Sequence, residues 1–321
     1  MTEQALLIGD IGGTNARFAL ADSTGAGYSS MRTLNCTDFE TAEDAIERYL
    51  GDVDVVSPGA VCLAVAGPID EQRVHFTNSS WIIDANELRR RFKTNRVRLL
   101  NDFEAIAYAI PVLGAADTLP IGLPAPIQFG DERLTVGALG PGTGLGAVGL
   151  KKVNGQFIAI PGEAAHAGFA PETRQQSEVL TLLRERFERV SRERLVSGPG
   201  LENLYWALCR LHEEKRAPLT AAEVFAAANS GTDQRANDAV ELFFELLGQI
   251  AGDLALTLGA TDGICIAGGI AKRYPQRLIN SRFRDGFENK GRFRAQMERI
   301  PTWLITHDQP GLLGAAFCAT Q

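Results

Sequence analysis

Apolar residues along this chain fall into short runs that stop at a glycine or an acid, separated by longer stretches with helical spacing. Residues 5–8 form one such run, ending at Asp10. After Gly12-Gly13-Thr14-Asn15 an alternating pattern resumes over 17–20, which predicts two strands joined by a glycine turn. Continuous apolar runs at 61–66 and 97–100 predict buried strands, the second closing on Asn101-Asp102. Between them, 41–50 places Ala42, Ala45, Ile46, Tyr49 and Leu50 on one helical face, and 103–112 reads as a helix interrupted by Pro111. The second half has strands at 147–152 and 156–160 around a turn at Val153-Asn154-Gly155, then becomes helix-rich. A helix is predicted over 176–190, with Val179, Leu182, Leu183, Phe187 and Val190 in register. Thr220-Ala221-Ala222-Glu223 is a capping box. A long apolar helix follows at 238–258, then a strand at 302–305 and a helix at 312–319.

The glycine turn returns. Val136-Gly137-Ala138-Leu139-Gly140-Pro141-Gly142-Thr143-Gly144-Leu145-Gly146 is again an apolar strand, a glycine turn with a threonine, and an apolar strand. A second echo links Cys62-Leu63-Ala64-Val65-Ala66-Gly67-Pro68-Ile69 with Ile264-Cys265-Ile266-Ala267-Gly268-Gly269-Ile270. Two shared motifs in the same order in both halves predict a duplicated α/β unit. Glycine turns let backbone N–H groups approach an anion, with Thr14 and Asn15 as added donors, and an acid at a strand end can hold a hydrated divalent cation. Only the first hairpin keeps the acid, because Ala138 stands where Asp10 would. The ordinary alternative is a tight hairpin with no ligand. Two phosphate-cradling hairpins across a cleft would form a nucleotide site without a P-loop lysine, and no G-x-x-x-x-G-K-[ST] occurs.

Composition narrows the class. At 321 residues and 45% hydrophobic, the chain suits two domains with large cores. A net charge of −7 without a basic run argues against nucleic-acid binding; Arg89-Arg90-Arg91 reads as a solvated helix face and Lys151-Lys152 as a turn. No apolar stretch is long enough to cross a bilayer, and a first strand at about Ala5 leaves no room for a leader. Cys36, Cys62, Cys209, Cys265 and Cys318 are scattered, two in apolar strand runs and one in a helix, so buried free thiols and a cytoplasmic location are expected. Gly142-x-Gly144-x-x-Ala147 matches a dinucleotide fingerprint with Glu163 as the ribose acid, but that fingerprint must open a helix, and here a strand pattern follows.

Several segments, spread over the whole chain, carry a resemblance: Gly9-Asp10-Ile11-Gly12-Gly13-Thr14-Asn15-Ala16-Arg17, Leu100-Asn101-Asp102-Phe103, Gly140-Pro141-Gly142-Thr143-Gly144-Leu145-Gly146, Pro161-Gly162-Glu163 with His166, Ser197-Gly198-Pro199-Gly200, Ala267-Gly268-Gly269-Ile270, and His307-Asp308 before Pro310-Gly311. In order, they resemble the bacterial glucokinase family of the sugar kinase and actin-like ATPase superfamily. The resemblance implies an α/β, two-domain actin-like ATPase (ribonuclease H-like) fold, with duplicated units around a nucleotide cleft. The small domain would comprise 1–112 and, by a crossover, 303–321; the large domain would comprise 113–302. It also implies ATP- and Mg²⁺-dependent phosphorylation of glucose to glucose 6-phosphate, the first step of glycolysis, by a homodimer.

Roles follow from the same match. Asp102 would be the general base; Asn101, Glu163, His166 and Glu193 would contact the sugar. Gly9, Asp10, Ile11, Gly12, Gly13, Thr14 and Asn15 would bind ATP with Gly142, Thr143, Gly144, Gly268 and Gly269, and Asp10 would orient Mg²⁺ through water. From its residues alone, Asn101-Asp102 is equally a helix cap, Glu193 a helix-start carboxylate, and Glu163-x-x-His166 half of a di-metal site that lacks its second copy. The family usually has Gly-Gly between Glu and His, where this chain has Ala164-Ala165, so His166 is expected to sit slightly displaced. The clustered cysteine motif of zinc-bearing ROK sugar kinases is missing. Another hexose, a non-catalytic sugar sensor and a chaperone- or filament-type ATPase are the alternatives.

Overall fold

The computed structural model describes residues 5–76, 81–122 and 133–321. The first sheet has the order β3-β2-β1-β4-β8. Its strands are β1 (Leu6–Ile11), β2 (Asn15–Ala21), β3 (Tyr28–Asn35), β4 (Ala60–Val65) and β8 (Val97–Asn101). β1 and β2 form the predicted hairpin, and β1, β4 and β8 run parallel. A small antiparallel sheet of β5 (Ile69–Asp70), β6 (Arg73–His75) and β7 (Ile82–Asp84) lies between β4 and β8 in the chain. Helices α1 (Ala42–Asp52), α2 (Ala85–Phe92) and α3 (Asp102–Ala109) complete this half. α1 begins at the Thr41 cap, and Arg89, Arg90 and Arg91 lie in the last turn of α2, where cations complement the helix dipole.

The second sheet repeats the plan, with order β12-β11-β10-β13-β14-β9. It contains β9 (Thr118–Pro120), β10 (Leu134–Pro141), β11 (Leu145–Val153), β12 (Gln156–Pro161), β13 (Gly263–Ile266) and β14 (Thr302–Ile305). β10, β13 and β14 are parallel, as β1, β4 and β8 are. Equivalent backbone bonds fix the correspondence: Ala66 N donates to Ile11 O, and Ala267 N donates to Leu139 O. Ile11 therefore matches Leu139, and Asp10 matches Ala138, as the sequence echo implies. The helices here are α4 (Arg174–Arg184), α5 (Gly198–Leu211), α6 (Ala221–Ser230), α7 (Gln234–Leu258), α8 (Gly269–Arg273), α9 (Pro275–Ile279), α10 (Phe283–Glu288) and α11 (Arg294–Met297). Predicted as central, α7 buries Val240, Phe243, Phe244, Leu247, Ile250 and Leu254.

The last helix, α12 (Pro310–Thr320), packs on β1, β2 and β4 of the first sheet and against α3, while α3 also packs on β10, β11 and β12 of the second. One core thus unites the inner faces of both sheets: Ile8, Cys62 and Ala64 from the first, Val136, Ala138 and Cys265 from the second, with Tyr108 and Leu312 between them. Alternation along a strand sends Leu7, Ile11 and Leu63 to the opposite face, under α1 and α2. α3 and α12 cross closely: a Cβ on Gly314 would lie 1.7 Å from Ala105 O.

Four expectations change. The helix predicted over 176–190 ends at Arg184, because the backbone at 190–191 pairs with 168–169 instead, through Phe169 N to Val190 O and a Gly168–Ser191 bridge. Lys151 and Lys152 lie inside β11, not in a turn; the turn is at Asn154 and Gly155, with φ of 51° and 80°. Cys209 joins Cys318 in an α-helix and Cys36 opens a 3₁₀ turn, so three cysteines rather than one are helical, and all five are free and buried. Finally, the chain crosses back after β14 rather than at 303, since residues 302–305 are a strand of the second sheet. Residues 1–4, 77–80 and 123–132 of the predicted domain ranges lie outside the described residues. Among the described residues no helix is long and apolar enough to cross a membrane.

Candidate active site

Where β8 meets α3, the chain turns a strand into a helix at Asn101. Its Oδ1 accepts from Glu104 N at 2.6 Å, and Glu104 Oε2 accepts from Asn101 N at 3.0 Å, a reciprocal capping box. The cap reading and a site reading are compatible here, because capping occupies Oδ1 and leaves the Nδ2 amide as a donor. The next residue, Asp102, accepts only from Phe103 N at 2.9 Å among the hydrogen bonds of the described residues. Its carboxylate is open to solvent from the cleft and hemmed by protein elsewhere. This burial raises its pKa first; the Phe103 and Asp102 N–H groups lower it, and the negative charge of Glu163 raises it further.

Phe103 brings α3 against the second hairpin. Its ring lies so close to the second hairpin that a Cβ on Gly146 would sit 1.8 Å from Phe103 Cε2. Asp102 is thereby held beside Gly142-Thr143-Gly144. One cavity of about 550 Å³ is lined by Asn101, Asp102, Gly142, Thr143, Gly144, Glu163, Glu193 and Gly268. Gly268, at φ 88°, caps the start of α8 so near this hairpin that a Cβ would fall 2.5 Å from Pro141 O. A Cβ at Gly142 would meet nothing within 4 Å, so that backbone faces open space.

The first hairpin is built differently. Gly12 N donates to Asn15 O at 2.9 Å, closing the turn around Gly13 and Thr14, with Thr14 and Asn15 exposed. Asp10 shares the inner face with Ile8, which turns it toward the start of α12, where a Cβ on Gly311 would be 3.5 Å from Asp10 Cγ. Arg17, opposite it in the strand pair, approaches only to 3.8 Å. Burial raises the pKa of Asp10, Arg17 partly offsets this, and Asp102 adds to it. Asp10 and Asp102 thus stand at the ends of two strands of the same sheet, β1 and β8. Gly9 and Ile11 flank Asp10 in β1, and Ile11 is buried in the outer core.

Glu163 stands before a single 3₁₀ turn, Ala164–His166, so the two residues are not on the helix that a di-metal site would need. His166 Nε2 lies 3.8 Å from Glu163 Oε2, and both side chains are more than half exposed. Ala165 is buried, so its methyl group anchors the turn on the core. His166 and Gly269 do not line the cavity, nor do the residues of the first hairpin. Glu193, in the 3₁₀ turn Arg192–Arg194, accepts from Leu145 N at 3.0 Å and so supports the second hairpin directly. Lys272, in α8, was not singled out in the sequence; it pairs with Asp308 at 2.7 Å and donates to His307 O at 3.0 Å, which lowers the Asp308 pKa. Among the described residues no group of three or more His, Cys, Asp or Glu could hold a metal, and Ala147 lies in β11, which removes the dinucleotide fingerprint.

Two sheets that share a five-strand order, the second extended by β9, each presenting a glycine hairpin, with an acid at a strand end between them, define a sugar kinase of the actin-like ATPase fold. The family model described as Glucokinase matches residues 7–321. A glucokinase of Nitrobacter hamburgensis is 42% identical over 311 residues, covering 97% of this chain and 95% of its own. The crystal structure of a glucokinase from an Antarctic psychrotroph superposes with a TM-score of 0.91 at 35% identity, over 99% of both chains. A ROK family glucokinase from Streptomyces griseus, solved with glucose and AMPPNP, shares the fold at a TM-score of 0.61 and 19% identity, over 97% of this chain and 98% of its own. The chain belongs to the glucokinase family.

Proposed function

We propose that the protein transfers the γ-phosphoryl group of ATP to the 6-hydroxyl of glucose, giving glucose 6-phosphate and ADP. The observation that carries this reading is the shared cavity in which Asp102 stands beside Gly142-Thr143-Gly144 and faces Glu163 and Glu193. Such a constellation pairs a base with a phosphate cradle and hydroxyl-accepting carboxylates. Asp102 accepts the hydroxyl proton as the sugar oxygen attacks γ-phosphorus and the bond to the ADP oxygen breaks. Asn101 Nδ2 donates to a neighbouring hydroxyl. Glu163, His166 and Glu193 bind the sugar, Glu193 through the oxygen not engaged by Leu145. The N–H groups of Gly12, Gly13, Gly142, Thr143 and Gly144, with the side chains of Thr14 and Asn15, cradle the phosphates, and Gly268 and Gly269 admit the adenosine.

Asp10 suits a hydrated Mg²⁺. It is a single, partly exposed carboxylate, incompletely neutralised by Arg17, beside the proposed phosphate cradle. When bound, the cation would offset phosphate charge. A small lobe of 1–112 closed by the returning C-terminal segment, a large lobe between them, a homodimer and a cytoplasmic location complete the reading, the last supported by five buried free thiols. The test is ADP release from Mg²⁺-ATP with glucose, fructose, mannose or no sugar. Strict dependence on glucose is expected; release with no sugar, or none with any hexose, overturns the proposal in favour of an ATPase or a sensor.

A further inference from the structure

Residues 189–198 touch both sides of the proposed site. On the sugar side, Arg192 N donates to Ala167 O at 3.0 Å and Arg189 Nη1 donates to His166 O at 2.8 Å. On the phosphate side, Glu193 Oε2 accepts from Leu145 N, and Gly198 N donates to Gly142 O at 2.8 Å. Ser197 Oγ joins the two ends by donating to Glu193 O at 2.8 Å. A segment bonded to both loops can set their spacing only if it is itself fixed.

What fixes it is a line of charges leading away from the cavity. Arg192 Nη2 lies 3.1 Å from Asp253 Oδ2 on α7. Asp253 Oδ1 is 3.0 Å from Lys290 Nζ, and Lys290 Nζ is 3.0 Å from Glu172 Oε1, just before α4. Asn289 Nδ2 donates to the other oxygen, Glu172 Oε2, at 2.9 Å. The Lys290 side chain is 5% exposed, so its charge depends on these two carboxylates. The backbone makes room for it: a Cβ on Gly252 would lie 2.8 Å from Lys290 Cε and 2.5 Å from Phe287 O. None of Asp253, Lys290 and Glu172 lines the cavity.

We propose that Asp253 and Lys290 are positioning residues for glucose, locking Arg192 so that Glu193 and the His166 turn meet the sugar at a fixed separation. The proposal rests on the assignment of Glu193 and His166 to the sugar side of a glucokinase. The test compares Asp253→Asn, Lys290→Met, Glu193→Gln and the Asp253→Asn/Glu193→Gln pair in the whole enzyme, varying glucose and ATP separately and recording melting temperatures. Asp253→Asn keeps shape and one acceptor, so it carries the test if Lys290→Met does not fold. The expected result is a glucose KM raised about tenfold with ATP KM within about twofold, and a double variant no worse than Glu193→Gln alone. Additive losses, equal losses for both substrates, or unchanged kinetics with only a lowered melting temperature would make the charges a structural brace and overturn the proposal. A silent Glu193→Gln beside an impaired Asp253→Asn would overturn the route through Glu193. Loss of glucose dependence in the unmodified enzyme would instead overturn the kinase reading itself.

Discussion

The two hairpins share a backbone plan and divide the chemistry. Both lead a parallel trio of strands, and both turn an inner-face position toward the core between the sheets. In the first that position is Asp10, facing the start of α12; in the second it is Ala138, fully buried. Both turns have three residues and an exposed threonine at the tip; the first is held by Cys36 N on Thr14 O, whereas the second is gripped by Phe103, Glu193 and Gly198. The helix that follows the last strand of each half also begins beside the other half's hairpin: Phe103 against Gly146, Gly311 against Asp10. The repeated frame is thus common to both halves, and the side chain at the inner-face position, Asp10 or Ala138, is what makes the two copies unlike.

The sharpest test removes the acid that stands between them. Asp102→Asn is expected to lower kcat by ~10²–10⁴-fold, the usual worth of a positioned base, with modest change in glucose KM. Because burial raises the Asp102 pKa in the folded state, ionisation there costs stability at every pH above that pKa, and the cost is relieved as pH falls through it. The asparagine variant should therefore melt no lower than the parent at neutral pH. Near-normal kcat would break the assignment. Exchanging the differing position comes next. Asp10→Asn should reduce kcat by ~10-fold or more while leaving the fold intact. Ala138→Asp should cost on the order of 3 kcal/mol or more in urea unfolding, because no partner is in place for a buried charge.

The glycines separate grip from access. Gly146→Ala would drive Phe103 away and should cost about 1–3 kcal/mol together with kcat. Gly142→Ala meets no protein atom, so stability should stay within about 0.5 kcal/mol while ATP KM rises. Equal effects at both would mean the second turn is structural only. The smallest expected effect is in the pH–rate profile. A base must be ionised, so activity should fall on the acid side through a pKa above the ordinary carboxylate value; Glu163→Gln, by removing a negative neighbour, should move that limb to lower pH. A limb that does not move would detach Glu163 from Asp102.

Much of this was legible in the chain because local pattern and tertiary role coincide. β4 and α7 are apolar runs whose burial demands the same element, and the repeated glycine turns announce the repeated sheets. The correspondence of Asp10 with Ala138 was readable because strand register follows residue parity. What escaped was settled by partners far away in sequence. The helix ending at Arg184 yields to pairing with 168–169, and the grip of Glu193 on Leu145 spans 48 residues with no periodic trace. The crossover of α12 became expected only through the family resemblance, since its sequence is apolar all round and names no neighbour.

The packing of α12 on β1, β2 and β4 has a consequence for the order of synthesis. On the ribosome the first sheet is complete as a sequence long before the helix that covers its inner face has been made. Until then Ile8, Cys62 and Ala64 have only α3 to cover them, and the whole second sheet must be translated before their cover arrives. The half built first is thus the half finished last, and a nascent chain halted between Asn101 and Pro310 holds the whole first sheet without the helix that covers its inner face.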